Sequence, residues 1–202
     1  VHQVTLRNDS DAPKNVILTS FVEFCLWNAQ DDMTNFQRNF STGEVEVEGS
    51  VIYHKTEYRE RRNHYAFYAV NTPVDGFDTD METFLGLYNG FENPQAVFTG
   101  KMGNSIASGW QPMAAHQVKV SLAPGEERRF NFVLGYVEVP QAEKFVAPSV
   151  INKAPAKALL EKLTTDEQIA DAFNALKKHW DNLLSAYVLT TPDEKLGRMV
   201  NI

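Results

Sequence analysis

The chain has 202 residues, of which 43% are hydrophobic and 22% are charged. This balance is typical of a folded domain and excludes disordered and collagen-like chains. The formal net charge of −7 disfavours nucleic-acid binding, because a phosphate backbone attracts basic surfaces. The single cysteine, Cys25, excludes an internal disulfide framework and a multi-cysteine zinc site. No run of about 18 uncharged apolar residues occurs, so the sequence predicts no membrane-spanning helix.

The first 150 residues carry the alternation and the turn signals of short β-strands. The run from Val16 to Phe21 is apolar on both faces, so we expect it at the centre of a sheet. Gly49-Ser50 and Ala123-Pro124-Gly125-Glu126 are typical turn sequences, the second of type II. Many short strands separated by turns indicate a mainly β fold, an antiparallel β-sandwich. Strands are predicted over 2–6, 16–21, 44–48, 51–55, 64–70, 117–122 and 129–136.

The later part of the chain departs from this pattern. Residues 88–112 are rich in Gly, Asn and Ser, which predicts a long ordered loop of a kind that is often functional. After Pro148 the hydrophobic period becomes helical, with a short helix over 154–163. A longer helix follows, capped by Thr164 or Thr165.

Both ends of the chain look interrupted. At the N-terminus, the chain starts at Val1, inside an apparent strand. At the C-terminus, Thr191 and Pro192 begin a last predicted helix, whose apolar residues have nothing after them to pack against. We therefore expect a piece of a longer protein, and a small domain with a frayed tail is the alternative. The expected segments are a β-sandwich over 1–150, a helical linker over 151–190 and the start of a further domain over 191–202.

Residues that could bind a sugar concentrate between Trp27 and Asn39. Amides, carboxylates and one arginine are interleaved with Trp27 and Phe36 there. Such groups pair with sugar hydroxyls, while aromatic faces cover the apolar face of a pyranose. The alternative is a polar loop whose side chains cap its own backbone.

Other chemistry has weaker signals. The five histidines form no HExxH or CxxC-type cluster, so we predict no metal site, and no nucleophile elbow or phosphate loop occurs. The basic cluster Tyr58–Asn63 is either a phosphate site or a solvated hairpin end with internal ion pairs. Trp110 either stacks on a ligand or closes an edge of the sandwich.

The stretch from Phe21 to Val45 resembles the cellobiose phosphorylases of glycoside hydrolase family 94, as do Val4–Ser10, Val51–Arg62 and Leu122–Glu126. The resemblance covers essentially the whole chain. It implies the later part of an N-terminal β-sandwich of the galactose-mutarotase-like supersandwich type, then a helical linker, and the first helix of an (α/α)6 catalytic barrel.

The activity that the resemblance implies is the reversible, inverting phosphorolysis of cellobiose, which gives α-D-glucose 1-phosphate and D-glucose. It implies no cofactor, since inorganic phosphate is a co-substrate. It also implies a cytoplasmic homodimer that contains the remainder of the same polypeptide and has no nucleic-acid or membrane partner.

The resemblance further implies that this chain carries no catalytic residue. Phosphate is already an anionic nucleophile, so one carboxylic acid suffices where a hydrolase needs two carboxyl groups. That acid, an aspartate, and the phosphate-binding residues belong to the barrel, so Asp31 and Asp32 are not assigned the role. In the family a sandwich loop reaches the neighbouring subunit's active site, so we expect Asn28 and Arg38 to contact the acceptor sugar there. A free-standing carbohydrate-binding β-sandwich module and a purely structural interaction domain are the alternatives.

Overall fold

The computed structural model of the chain divides into two compact units, Val1–Leu160 and Glu161–Ile202. Antiparallel sheets build the first unit, and helices build the second. None of the helices in the part of the chain that the structure describes is long and apolar enough to cross a membrane. The structure describes residues 1–24, 43–55, 63–109 and 112–201.

The strands of the first unit pair antiparallel throughout its described residues. One sheet has the order β1-β9-β5-β4-β3-β7, a second the order β2-β8-β6, and β10 pairs with β11. The prediction of a mainly β, antiparallel fold is therefore confirmed. The strands are β1 His2–Arg7, β2 Lys14–Glu23, β3 Gly43–Glu48, β4 Val51–His54, β5 His64–Val70, β6 Gly76–Asp80, β7 Ser108–Gly109, β8 Pro112–Leu122, β9 Glu127–Glu138, β10 Phe145–Ala147 and β11 Val150–Ile151.

The core lies between the two larger sheets. Tyr68 of β5 stacks on His116 of β8, with ring centroids 5.1 Å apart. Because alternate residues of a strand point to opposite faces, core members such as Tyr68 and Val70 of β5, or Phe130 and Phe132 of β9, are two residues apart. The buried members from both sheets are Val45, Ile52, Tyr68, Val70, Ala107, Ala114, Val118, Val120, Leu122, Phe130 and Phe132.

Two short helices cover the outer face of the three-stranded sheet. They are α1, Met81–Leu85, and α2, Gln95–Thr99. Phe84 of α1 is buried and stacks on Phe21 of β2, with ring centroids 5.3 Å apart. A second apolar cluster thus lies on the side of this sheet away from the main core.

Strand β2 lies at the edge of its sheet in the described part of the fold, so the prediction of a central position is wrong. It pairs with β8 from Lys14 opposite Leu122 to Glu23 opposite Met113. Its sequence is apolar on both faces for another reason. One face packs on the main core and the other packs under α1 through Phe21.

Both predicted turns are confirmed. Glu48 pairs with Val51 across a two-residue turn in which Gly49 has a φ of 61°. In the second turn, the Glu126 N–H donates to Ala123 O at 3.0 Å, and Gly125 has a φ of 75°. Glycine is favoured at both positions because a side chain strains a backbone with positive φ.

The region over 88–112 is only partly a loop, because it contains α2 and β7. Helix α2 begins after Pro94 and ends at Gly100, whose φ is 66°. A helix of five residues is too short to produce a visible 3.6-residue period. This explains why composition alone predicts a loop there.

Three longer helices follow the sheets: α3 Ala154–Leu160, α4 Asp166–Leu184 and α5 Glu194–Val200. A capping box begins α4, in which Thr165 Oγ1 accepts a bond of 3.2 Å from the Gln168 N–H. The cap of α5 is Asp193 and not Thr191, because the Asp193 carboxylate accepts from the N–H groups of both Lys195 and Leu196.

Candidate functional site

The described residues that flank the predicted sugar-binding segment lie at one end of the sandwich. Phe24 precedes the segment, and its ring stacks on that of His54, with centroids 4.7 Å apart. Gly43 follows the segment and pairs with Gly109. Since His54 also pairs with Val45, these ends meet at one place, which we call the β3–β4 rim.

The predicted sugar-binding residues Asn28 and Arg38 lie outside the residues that the structure describes. Their role therefore stays a prediction, and the β3–β4 rim is the described part of the candidate site. Cys25, Trp27, Trp110 and residues 58–62 of the basic cluster also fall outside the described ranges.

A buried lysine organises this rim. The Lys55 side chain is 9% exposed, and its Nζ lies 3.1 Å from Glu44 Oε2 and 3.3 Å from Glu46 Oε1. The same Nζ donates a hydrogen bond to the Ser149 carbonyl oxygen. A buried cation is tolerated when it is paired and hydrogen-bonded. Lys55 thus joins β3, β4 and the turn between β10 and β11.

Two further lysines extend the ion pairs to the beginning of α3. Lys153 Nζ lies 2.8 Å from Glu46 Oε2 and 3.3 Å from Glu48 Oε2. Lys157 Nζ lies 2.5 Å from Glu48 Oε1. We call these three lysines with Glu44, Glu46 and Glu48 the rim charge network. It fixes α3 to the sheet.

The alternation of the predicted 44–48 strand does not show what its glutamates pair with. Strand alternation does put Glu44, Glu46 and Glu48 on one side, but Glu46 is only 15% exposed. Lys153 and Lys157 are four residues apart, so they face the same side once helix α3 begins. Two lysines at helical spacing near an alternating glutamate strand are the signal that could have predicted the network.

Electrostatics favour the charged form of Glu46. Burial by itself raises the pKa of this carboxyl, but the hydrogen bonds from Lys153 and the Ile151 N–H, and the charges of Lys153 and Lys55, hold it below its ordinary value. The bond to Glu46 in turn raises the pKa of Lys153. Because the pKa of Glu46 is lowered by folding, its stabilising contribution is present at neutral pH and is lost as the pH falls into the acid range.

Replacing Glu46→Gln is expected to lower the free energy of unfolding by about 2 kcal/mol, because it leaves part of the Lys55 charge uncompensated in a buried position. Glu48 is 47% exposed, so Glu48→Gln is the matched control and is expected to cost less than about 1 kcal/mol. Urea unfolding at neutral pH measures both values. Equal losses for the two variants would contradict the conclusion that Glu46 compensates the buried charge of Lys55.

A buried imidazole lies behind the rim. His54 is 5% exposed, and burial lowers its pKa to about 3, with smaller contributions from Lys144 and His64. Lys144 is fully buried, and its Nζ donates to Lys55 O at 3.3 Å. A neutral, enclosed His54 is a packing group at neutral pH.

The described side chains do not assemble a metal site. In residues 1–24, 43–55, 63–109 and 112–201, no group of three or more His, Cys, Asp and Glu side chains is arranged to hold a metal ion. What the rim offers is a rigid, charge-paired support at the point where the predicted sugar-binding segment joins the sheets.

Comparison with known proteins identifies the family. Residues 1–166 match the family model described as glycosyl hydrolase 94, supersandwich domain. The chain belongs to this family. The resemblance seen in the sequence is thus confirmed at the level of the glycosyl hydrolase 94 supersandwich domain.

Relatives match along most of the chain. It is 28% identical over 202 residues to the N,N'-diacetylchitobiose phosphorylase of Vibrio proteolyticus, covering 100% of the chain and 23% of that protein. It is 27% identical over 175 residues to the solabiose phosphorylase of Paenibacillus borealis, covering 83% of the chain and 22% of that protein. It is also 24% identical over 200 residues to the cyclic beta-(1,2)-glucan synthase NdvB of Rhizobium meliloti (strain 1021), covering 98% of the chain and 6% of that protein. The supersandwich chain thus spans less than a quarter of each.

Proposed function

We propose that this supersandwich is the noncatalytic part of an inverting disaccharide phosphorylase. The family match over residues 1–166 carries the proposal, and relatives named as phosphorylases support it along the chain. The proposed reaction converts cellobiose and phosphate into α-D-glucose 1-phosphate and D-glucose. The proposed enzyme is a cytoplasmic homodimer that uses no cofactor besides its phosphate co-substrate.

The proposed chemistry divides between domains. A phosphate oxygen forms a bond to the anomeric carbon, the glycosidic C–O bond breaks, and a carboxylic acid outside this chain gives its proton to the leaving oxygen. Asn28 and Arg38 contact the acceptor glucose of the neighbouring subunit. Arg38 donates hydrogen bonds to sugar hydroxyls, whereas Asn28 both donates and accepts. The rim charge network supports the proposal, because it fixes the strand that follows their segment.

The most specific part of the proposal is that the disaccharide substrate is cellobiose. The segment from Trp27 to Arg38 resembles cellobiose phosphorylases, while relatives are named for N,N'-diacetylchitobiose and solabiose. The test is release of glucose 1-phosphate from each disaccharide and phosphate by the enzyme that contains this chain. Release from cellobiose alone supports the proposal. Release from only another disaccharide would overturn cellobiose and keep the phosphorylase, and no release from any would overturn both.

Arg38→Ala is expected to raise the Michaelis constant for glucose about tenfold in the synthetic direction, because a charge-assisted hydrogen bond contributes about 1.5–3 kcal/mol. Initial rates at saturating glucose 1-phosphate measure this constant. Arg7→Ala is the control, since Arg7 pairs with Asp9 on the surface at 2.8 Å. Unchanged kinetics toward glucose in Arg38→Ala would contradict a role in acceptor binding.

A carbohydrate-binding module is a second candidate, favoured by the exposed aromatic residues between α1 and α2. The two candidates differ in what one subunit does for another. In mixed dimers, an enzyme part predicts that Arg38→Ala impairs the site of the neighbouring subunit. A free-standing module predicts sugar binding that does not depend on subunit mixing.

A further inference from the structure

The segment between α1 and α2 contains an asparagine that is followed by glycine. Asn89–Gly90 is the single Asn-Gly pair of the 202 residues, and Asn104–Ser105 is the single Asn-Ser pair. The backbone nitrogen that follows an asparagine can attack the side-chain amide and form a cyclic succinimide, which makes asparagine a chemically labile residue. Glycine favours this attack, because it has no side chain that restricts the backbone or shields the nitrogen.

The fold leaves both reacting groups of this pair accessible. Asn89 is exposed and lies outside the helices and strands. Among the described residues, no hydrogen bond holds the side-chain amide of Asn89 or the N–H of Gly90. The bonds of the two turns use other atoms and run from Asn89 N to Gly86 O and from Asn93 N to Gly90 O, each 3.2 Å long. The side chain of Asn89 can therefore approach the nitrogen of Gly90 without breaking a bond.

Asn104 is also exposed, but the fold holds both of its reacting groups. Its Oδ1 accepts a hydrogen bond of 3.1 Å from the Phe77 N–H. The nitrogen that would attack it, that of Ser105, donates to the buried Asp78 carboxylate at 3.0 Å. A bond to a charged acceptor is stronger than one between neutral groups. Attack at Asn104 thus requires the loss of two bonds, whereas attack at Asn89 requires the loss of none.

We propose that Asn89 is a modification site, at which water converts the asparagine to aspartate and isoaspartate without an enzyme. In the first step the Gly90 nitrogen forms a bond to Cγ of Asn89, and the bond from Cγ to Nδ2 breaks. The proton of the Gly90 nitrogen passes through solvent to the leaving nitrogen, which departs as ammonia. In the second step one water molecule opens the succinimide at either carbonyl carbon. The two carbonyls give the two products.

The modification changes both the charge and the backbone of the segment. Either product adds a negative charge to a chain whose formal net charge is already −7. Isoaspartate also continues the chain through its side-chain carbon, which lengthens the backbone between the two turn bonds by one methylene group. Phe91, whose ring contacts that of Phe21 edge to face with centroids 5.2 Å apart, directly follows this pair. The site depends on this local geometry and not on the proposed phosphorylase activity.

Peptide mass spectrometry of the folded 202-residue chain during incubation at mildly alkaline pH tests the proposal. The peptide that contains Asn89 is expected to gain the mass of the exchange of NH2 for OH at least about tenfold faster than the peptide that contains Asn104. Enzymatic methylation of isoaspartyl carboxylates detects the isoaspartate in the same peptide. The rate is expected to fall at neutral pH, because the attacking nitrogen must lose its proton. Unfolding in urea is expected to speed conversion at Asn104, since its two bonds are lost.

Gly90→Ala is expected to slow conversion at residue 89 at least about tenfold, because a methyl group restricts the approach of the nitrogen. The added Cβ meets only the end of the exposed Glu92 side chain, which can move away, so the variant folds. Gly197→Ala is the matched control, because its Cβ has room and lies in α5. Conversion that is slowed in Gly90→Ala and unchanged in Gly197→Ala supports the proposal. No conversion at Asn89, an equal rate in Gly90→Ala, or an equal rate at Asn104 in the folded chain overturns it.

Discussion

Acidification from pH 7 to pH 4 is expected to lower the free energy of unfolding by several kcal/mol, because two histidines are buried in their neutral form. His116 is 1% exposed and His54 is 5% exposed. Burial lowers the pKa of His116 to about 4 and that of His54 to about 3. In the unfolded chain both imidazoles titrate near their ordinary pKa of about 6.5.

The direction of the effect follows from proton linkage. Below about pH 6.5 the unfolded chain binds protons that the folded chain does not bind, so unfolding becomes more favourable as the pH falls toward 4. Each unit of pKa difference corresponds to about 1.4 kcal/mol. His116 alone therefore contributes a loss on the order of 3 kcal/mol between pH 6.5 and pH 4. This is a large part of the stability of an ordinary domain.

His116→Phe separates the effect of His116 from general acid denaturation. Phenylalanine retains the stacking on Tyr68, whose ring centroid lies 5.1 Å from that of His116, and does not titrate. Urea unfolding followed by the circular dichroism of the strands at pH 7 and pH 4 is expected to show a smaller loss in this variant. His2 is exposed in β1, so His2→Phe is the control for the substitution itself. The same loss in His116→Phe as in the parent chain would contradict the assignment.

Asp78→Ala is expected to lower the free energy of unfolding by about 3 kcal/mol, because it removes the acceptor of three hydrogen bonds in a buried position. Asp78 is 0% exposed. It accepts from Gly103 N at 2.9 Å, from Ser105 N at 3.0 Å and from Ser105 Oγ at 2.7 Å. These bonds hold the segment between α2 and β7 against strand β6.

Two further variants give this prediction its controls. Asp78→Asn is expected to cost less than Asp78→Ala, because its amide oxygen still accepts from Ser105 while its amide nitrogen opposes the Gly103 N–H. Asp80 lies two residues further along β6 and caps the exposed start of α1 by accepting from Thr83 N at 2.8 Å. Asp80→Ala is therefore expected to cost about 1 kcal/mol. Thermal and urea unfolding rank the three, and an Asp78→Ala loss no greater than that of Asp80→Ala would contradict the role of Asp78.

Local signals predicted the elements whose causes are local. The Gly49 turn, the Gly125 turn and the Thr165 capping box depend on a few adjacent residues, and all three are confirmed. The cap of α5 was predicted at Thr191 but lies at Asp193. Thr191 and Asp193 are both suitable cap residues. Asp193 caps α5 because its carboxylate accepts hydrogen bonds from the N–H groups of Lys195 and Leu196.

The sequence pattern does not predict contacts between residues that are far apart in the chain. An apolar pattern on both faces does not distinguish a central strand from an edge strand that is covered by a helix. Strand β2 is of the second kind, because Phe84 of α1 packs on its Phe21. The exposure of Tyr88 likewise depends on what packs nearby. Composition predicted only a loop there, whereas the structure shows an aromatic side chain at a strained turn position.

By itself the sequence determined the antiparallel β class, the helical end, the turn chemistry and the resemblance to glycoside hydrolase family 94. These follow from the hydrophobic period, the turn residues and the motifs, all of which depend on residues that are close together in the sequence. Only the tertiary structure shows the rim charge network, the burial of His116 and the position of β2 at the edge of its sheet. Lys55 and Ser149, or Ser20 and His116, lie far apart in sequence and meet only when the sheets pair and pack.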